Sequence, residues 1–379
     1  MAENQSELLQ YRDQLDEIDQ KIVDLYKQRM SVCEKVADYK IKSGKKIFDK
    51  QREEEKIRTL SRLAEDDFNR HGIGELFEQI MCTSRKLQYK RLEEAGFSGN
   101  PPFIGVKDLS KGPVRVVYQG AQGSYSEAAT KAFFSEEANV FCVETFRDAM
   151  GAIEEGSAEY AVLPIENSTA GTVSEIYDLL AEFENYIVGE QIMPIEHCLL
   201  GLPGADLGSI KRVYAHPQAL MQSERFLESY GYEQIGMKNN AFAAAKVKQD
   251  GDPEKAAVAS EYAAGVYGLE ILKKGINQSD TNSTRFIIVT NRKIYKEDAE
   301  KISICFELPH RSGSLYRMLS HFIYNDLNMT RIESRPIPDR DWEYRFFLDF
   351  EGNLAQGAVR NALRGLREEA RYLRVLGNY

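Results

Sequence analysis

The sequence has 379 residues, 42% of them hydrophobic and 28% charged, with a formal net charge of −10. That length suggests two or three domains, and the composition is that of an ordinary soluble protein. The negative balance argues against a nucleic-acid binder and fits an enzyme of small molecules in the cytoplasm, with any attraction for an anionic substrate being local.

The first ten residues, MAENQSELLQ, are polar and acidic, so no secretory leader is expected. No apolar run reaches the ~18 residues that a membrane-spanning helix needs. The cysteines Cys33, Cys82, Cys142, Cys198 and Cys305 are scattered, with no C-x-x-C pair. Neither a disulfide framework nor a metal site is expected from them.

Residues 1–95 read as helical. From Leu8 the apolar positions Leu15, Ile18, Ile22, Leu25, Val32 and Val36 recur by threes and fours, which predicts a helix from about Ser6 to about Lys42 with one buried face. Arg12, Arg29 and Lys40 fall on that stripe, where a cation is unfavourable unless an anion meets it. Arg29 and Lys40 are eleven residues apart, within about 20° of each other in direction and ~16 Å along the axis, so both can reach one small dianion. Arg12 lies ~25 Å from Arg29, too far to share it, and points to a second site across a dimer of long helices. Asp49 is the expected cap of a second helix that begins with Arg52 and Glu53. A third helix carries Ser84 and Gln88 at i, i+4 on its apolar face.

Residues 96–113 are rich in Gly and Pro and read as a linker. From Val114 to 292, short apolar strands alternate with helical stretches, which predicts an α/β domain with a mostly parallel sheet. Its turn G-A-Q-G-S-Y-S at 120–126 places Ser126 and glycine backbone at a helix start, an anion-binding arrangement. There is no G-x-G-x-x-G fingerprint, so a dinucleotide site is not expected. The run P-I-E-N-S-T-A-G-T-V at 164–173 gathers Glu166, Asn167 and Ser168 at a strand's C-terminal end, where α/β proteins bind ligands. H-P-Q-A-L-M-Q at 216–222 supplies Gln222, and N-S-T-R-F at 282–286 supplies Thr284 and Arg285. Residues 302–379 show a β-α-β-β-α order, with a last strand possible near the end, and predict a ferredoxin-like unit.

Residues 1–95 resemble the all-helical chorismate mutase domain through Arg12, Arg29, Lys40, Asp49, Arg52, Glu53, Ser84 and Gln88. The resemblance implies an intertwined dimer in which Arg12 reaches the partner's site. Arg12 and Arg29 would clamp the two carboxylates of chorismate, and Lys40 and Gln88 would donate to its ether oxygen. Glu53 would accept from the ring hydroxyl, with Asp49, Arg52 and Ser84 in support. The four runs within 114–292 resemble prephenate dehydratase, which implies two α/β subdomains with the site in their cleft. There Thr284 would protonate the departing ring hydroxyl of prephenate, and Ser126, Glu166, Asn167, Ser168, Gln222 and Arg285 would bind substrate. Ala215 stands where that family usually has a serine, and Asn239, Asn240 and Ala241 where a Ser-Thr-Ala run is common. Residues 302–379 resemble the ACT regulatory domain. That implies a phenylalanine effector bound by Gly313, Ser314 and Leu315 together with Glu333, Ser334, Arg335 and Pro336. Together these resemblances imply a bifunctional enzyme of phenylalanine biosynthesis, working without metal or cofactor as a homodimer or higher homo-oligomer.

Overall fold

The structure, a computed structural model, describes residues 2–96, 102–109, 113–134, 138–279 and 281–379. The chain runs α1 (Ala2–Ser43), α2 (Lys50–Ser61), α3 (Asp67–Glu94), β1 (Ile104–Val106), β2 (Arg115–Gln119), α4 (Tyr125–Phe133), β3 (Asn139–Val143), α5 (Phe146–Glu154), β4 (Tyr160–Asn167), β5 (Gly171–Thr172), α6 (Ser174–Glu182), β6 (Tyr186–Pro194) and β7 (Cys198–Gly201). It continues with β8 (Arg212–Ala215), α7 (Pro217–Gln222), α8 (Glu224–Tyr230), β9 (Glu233–Gly236), α9 (Asn240–Asp250), β10 (Lys255–Ala259), α10 (Glu261–Tyr267), β11 (Glu270–Lys273), β12 (Ser283–Thr290) and β13 (Ile294–Lys296). The last elements are β14 (Lys301–Glu307), α11 (Ser314–Ile323), β15 (Met329–Pro336), β16 (Tyr344–Glu351), α12 (Gly357–Glu369) and β17 (Tyr372–Asn378).

Two compact units result, and neither is one stretch of chain. The first comprises residues 1–101, 308–328 and 354–372; the second comprises 102–307, 329–353 and 373–379.

In the first unit, α2 and α3 start where short acidic side chains cap free amides. Asp49 accepts from the Arg52 amide and Asp66 from the Asn69 amide. Burial is concentrated in residues 81–89 of α3. The expected buried stripe of α1 is not buried within the chain. Every residue from 7 to 28 is exposed, with Ile18 at 50% and Leu25 at 64%. The physical reason is length: α1 is far longer than the stretch that bonds to α3, which among the described residues begins at Arg29, where Arg29 reaches Ser84, Ser84 reaches Met30 and Arg91 reaches Glu34.

The second unit contains two main sheets. One has five strands in the order β11-β7-β10-β8-β9. The other runs β15-β16-β14-β17-β6-β12-β4-β2-β3, with β5 hydrogen-bonded to β4 off that path. The expectation of a mostly parallel sheet is corrected here: β2 is parallel to β3 and β4, but β12 is antiparallel to both neighbours, β4 and β6. The chain leaves the large sheet at the end of β6, completes the smaller sheet and re-enters at that same end, with Ser283 opposite Pro194, so β12 runs back against β6. Within the stretch read as a linker, residues 97–101 and 110–112 lie outside the described residues. The described part contains β1, which pairs in parallel with β13. The final segment has the β-α-β-β-α-β order, with its strands arranged β15-β16-β14-β17. Its strands join the large sheet where β17 lies beside β6, with Gly377 opposite Ile187. A Cβ on Gly377 would collide with the Ile187 carbonyl, so the approach requires glycine.

Candidate active sites

The first unit brings most of its sequence-selected residues together. On α1, Arg29 donates to Ser84 Oγ at 2.5 Å and lies 3.7 Å from Cys33 Sγ. One turn along α3, Gln88 Nε2 donates to the Ser84 carbonyl at 3.2 Å. Gln88 Oε1 is buried and has no protein partner among the described residues. Lys40 Nζ donates to the Ile47 carbonyl at 2.6 Å. Burial lowers its pKa and the charge of Arg52 adds to that, while Glu53 and Asp49 oppose. Asp49 caps α2 rather than standing free. Glu53 is paired with Arg85. Burial raises the Glu53 carboxyl above its ordinary range, and Arg85 works against that rise. Arg12 is exposed on α1, within the exposed stretch of residues 7–28. Arg29, Ser84 and Gln88 form one hydrogen-bonded group, and Lys40 stands with Asp49, Arg52 and Glu53 near the start of α2, a donor-rich set suited to holding a dianion.

In the second unit a cavity of about 530 Å³ lies between the two sheets. Thr284 of β12 and Asn167 of β4 are cross-strand partners and both line it. Their hydrogen bonds have a fixed direction. Asn167 Oδ1 accepts from the Thr169 and Ala170 amides, at 3.1 and 2.9 Å, and from Thr169 Oγ1 at 2.8 Å. Asn167 Nδ2 must therefore be the donor that reaches Thr284 Oγ1 at 2.9 Å and Asn282 Oδ1 at 2.9 Å. With its oxygen already accepting, the Thr284 hydroxyl keeps its own hydrogen for a ligand.

Gln222 extends the network. Its Nε2 donates to Thr169 Oγ1 at 2.7 Å, so its Oε1 faces His197 Nε2 at 2.9 Å. That oxygen can only accept, which fixes His197 as the Nε2–H tautomer. Burial lowers the His197 pKa, and its Nδ1 has no partner among the described residues. Ser126 is buried and also lines the cavity. The preceding turn does not offer a free anion cradle: the buried Glu127 carboxylate already accepts the Gly123 amide at 2.6 Å. A Cβ on Gly123, whose φ is +83°, would meet the Tyr267 ring at 2.9 Å. His216 caps α7 through Nδ1.

Three sequence-selected residues do not face this cavity. Ser168 pins β12 instead, accepting from the Ser283 amide at 2.9 Å and donating to the Thr281 carbonyl at 3.1 Å. Glu166 and Arg285 sit one residue from Asn167 and Thr284, and successive side chains on a strand point to opposite faces. On that far face Arg285 binds Asp349 at 2.9 Å and lies 3.6 Å from Glu190, while Glu166 pairs with Arg331 of β15. Beside them Thr172 donates to Glu333 at 3.0 Å and accepts from Arg331 at 2.7 Å. Arg335 grips Asp178 of α6 through two bonds of 3.0 and 2.7 Å. Gly313, Ser314 and Leu315 form the start of α11 in the first unit, whereas Glu333 to Pro336 lie on β15 in the second.

Sequence reasoning missed His197, Asn282 and Arg85. Asn282 stood inside the quoted N-S-T-R-F run. Arg85 is a cation in the buried stretch of α3, the same anomaly that marked α1. His197, alone in I-E-H-C, carried no signal.

Comparison with known proteins gives concordant findings. Residues 11–89 match the family described as chorismate mutase type II, and residues 116–294 match prephenate dehydratase. The chain is 32% identical to the bifunctional chorismate mutase/prephenate dehydratase of Escherichia coli (strain K12), covering 99% of this chain and 97% of that one. A prephenate dehydratase from Arthrobacter aurescens, solved in complex with L-Phe, aligns with a TM-score of 0.65 and 30% identity over 70% of this chain and 89% of its own. GqqA, described as a novel type of quorum-quenching acylase, aligns with the same TM-score and 33% identity over 70% of this chain and 97% of its own.

Proposed function

We propose, since the chain belongs to the bifunctional chorismate mutase/prephenate dehydratase family and carries both activities, that it converts chorismate to phenylpyruvate for phenylalanine biosynthesis, in the cytoplasm, under feedback inhibition by phenylalanine. The observation that carries the dehydratase half is the directed Asn167–Thr284 hydrogen bond in the intersheet cavity. Thr284 gives its hydroxyl hydrogen to the ring hydroxyl of prephenate as that group departs as water. The carbon–carbon bond to the ring carboxylate breaks in the same step, its electron pair aromatising the ring and releasing carbon dioxide. Threonine is too weak an acid to act before that cleavage, so the two events are concerted. Threonine regains its proton from solvent. Asn167 orients Thr284, and Gln222 and Ser126 bind substrate.

The rearrangement of chorismate is intramolecular and needs only a compact substrate and a stabilised ether oxygen. Arg29 and, from a partner chain, Arg12 hold the carboxylates; Lys40 and Gln88 face the ether oxygen and Glu53 the ring hydroxyl, with Asp49, Arg52 and Ser84 in support. The exposed apolar stripe of α1 supports an intertwined homodimer, in which the same face of a second copy would cover it. The domains are 1–95 for the mutase, 114–292 for the dehydratase and 302–379 for an ACT regulatory segment. Phenylalanine binds Gly313 to Leu315 and Glu333 to Pro336 at a subunit interface. The strand order of that segment and the L-Phe complex of the Arthrobacter relative support this regulation.

The test is an assay of purified protein on chorismate, without added metal or nucleotide, with and without phenylalanine. Phenylpyruvate should form and phenylalanine should slow it. Absence of both prephenate and phenylpyruvate refutes the enzyme reading; formation unaffected by phenylalanine refutes the feedback.

A further inference from the structure

Arg85 is a buried cation, 7% exposed, that the chemistry above does not use. Its guanidinium is held at three points. Nη1 pairs with Glu53 of α2, Nη2 reaches Glu369 of α12 at 3.0 Å, and the plane lies over the Phe48 ring with its carbon 4.7 Å from the centroid. A planar fork bound on two edges and one face has a single orientation, and so does the carboxylate it grips.

We propose that Arg85 is a positioning residue for the chorismate rearrangement, holding the Glu53 carboxylate in the orientation that accepts the substrate's ring hydroxyl, with Glu369 of α12 fixing Arg85 in turn. The proposal rests on the reading of Glu53 given above. It places the mutase chemistry under the control of the C-terminal helices, because Glu369 also accepts from His321 Nε2 of α11 at 3.0 Å.

The electrostatics follow from the neighbours. Facing Glu53 are Lys40 from α1, Arg85 from α3, and Glu368 and Glu369 from α12. A cavity of the first unit is lined by Glu53 and Arg85 together with Lys50, Glu54 and Arg58 of α2, Glu78 of α3, and Arg311 and Arg317 around the start of α11. Burial and Glu369 raise the Glu53 pKa; Arg85 and Lys40 lower it, Arg85 the more strongly. Removing Arg85 therefore lets Glu53 take up a proton at higher pH. Removing the Glu369 charge does the reverse.

The full chain carrying R85M, R85K, E369Q or E53Q should be assayed for mutase kcat and KM across a pH series and for dehydratase activity on added prephenate. R85M should lower mutase kcat by roughly 10²-fold with the chorismate KM within about two-fold, since orientation rather than binding is lost. Its acid limb should move up in pH, that of E369Q should move down, and R85K should recover part of the rate. Dehydratase activity should stay at the parent level in R85M, R85K and E369Q. Opposite displacements of the limb are not produced by loss of packing. If R85M does not fold, the E369Q profile decides alone, and an unmoved limb overturns the proposal. Loss of activity in E53Q with unmoved limbs in R85M and E369Q overturns the proposal only. Undiminished mutase activity in E53Q overturns the reading of Glu53 and the proposal with it.

Discussion

Thr284 and Glu166 were chosen from similar clues and have opposite fates. Both stood in polar runs at strand ends. Thr284 faces the cavity with its oxygen accepting from Asn167, while Glu166 faces away and pairs with Arg331. Sequence alone locates the strand end but not which of two adjacent residues points inward, because that depends on which face of the sheet the cavity occupies. His197 was illegible for a different reason: its role comes from Gln222, 25 residues later in the chain. At this scale the two reactions should separate cleanly. Thr284→Val should lower the rate on prephenate by about 10²-fold or more and leave chorismate consumption intact. Lys40→Ala should do the converse, losing mutase activity while prephenate added from outside is still consumed. If both activities fall together in a folded variant, the two sites are not independent.

Among the elements, the helices were the most legible, since a period near 3.6 sustained over ten residues has few rivals. The strands β7, β9 and β11 were not, being four residues each with no alternation to betray them. The direction of β12 was hidden as well, because antiparallel pairing on both sides follows from the route of the chain rather than from β12 itself. β15 shows how one strand fastens two substructures. Its alternate residues Arg331, Glu333 and Arg335 all reach β4, β5 and α6 of the dehydratase sheet region. β17 is the other seam, and it depends on Gly377. Gly377→Ala should push β17 from β6 and destabilise the protein by about 1–3 kcal/mol. Chemical denaturation would read this as a lower midpoint with loss of dehydratase before mutase activity. An unchanged midpoint would show that β17 is not held there.

For the whole molecule, two buried histidines, His197 and His321, and the half-buried His216 tie stability to pH. Burial lowers the pKa of His197, His216 and His321 below the ordinary 6.5. A group with a lowered folded pKa binds its proton more readily when unfolded, so its stabilisation is complete above 6.5 and is lost as pH falls through the folded value. The thermal midpoint should therefore decline as pH drops below about 6.5, and His197→Asn should flatten that decline. A decline of the same steepness in the variant would assign it to other groups. The division into two units was only half legible, since the resemblances set three domains in a row. The C-terminal segment instead shares itself out, its helices α11 and α12 counted with the first unit and its strands with the second. A ligand that reshapes this segment alters the free energies of both units in one event. Linkage then runs backwards with equal force: chorismate or prephenate held in its own site must change the affinity for that ligand by the factor with which the ligand changes theirs. Substrate supply would thereby set how sensitively such a ligand is sensed.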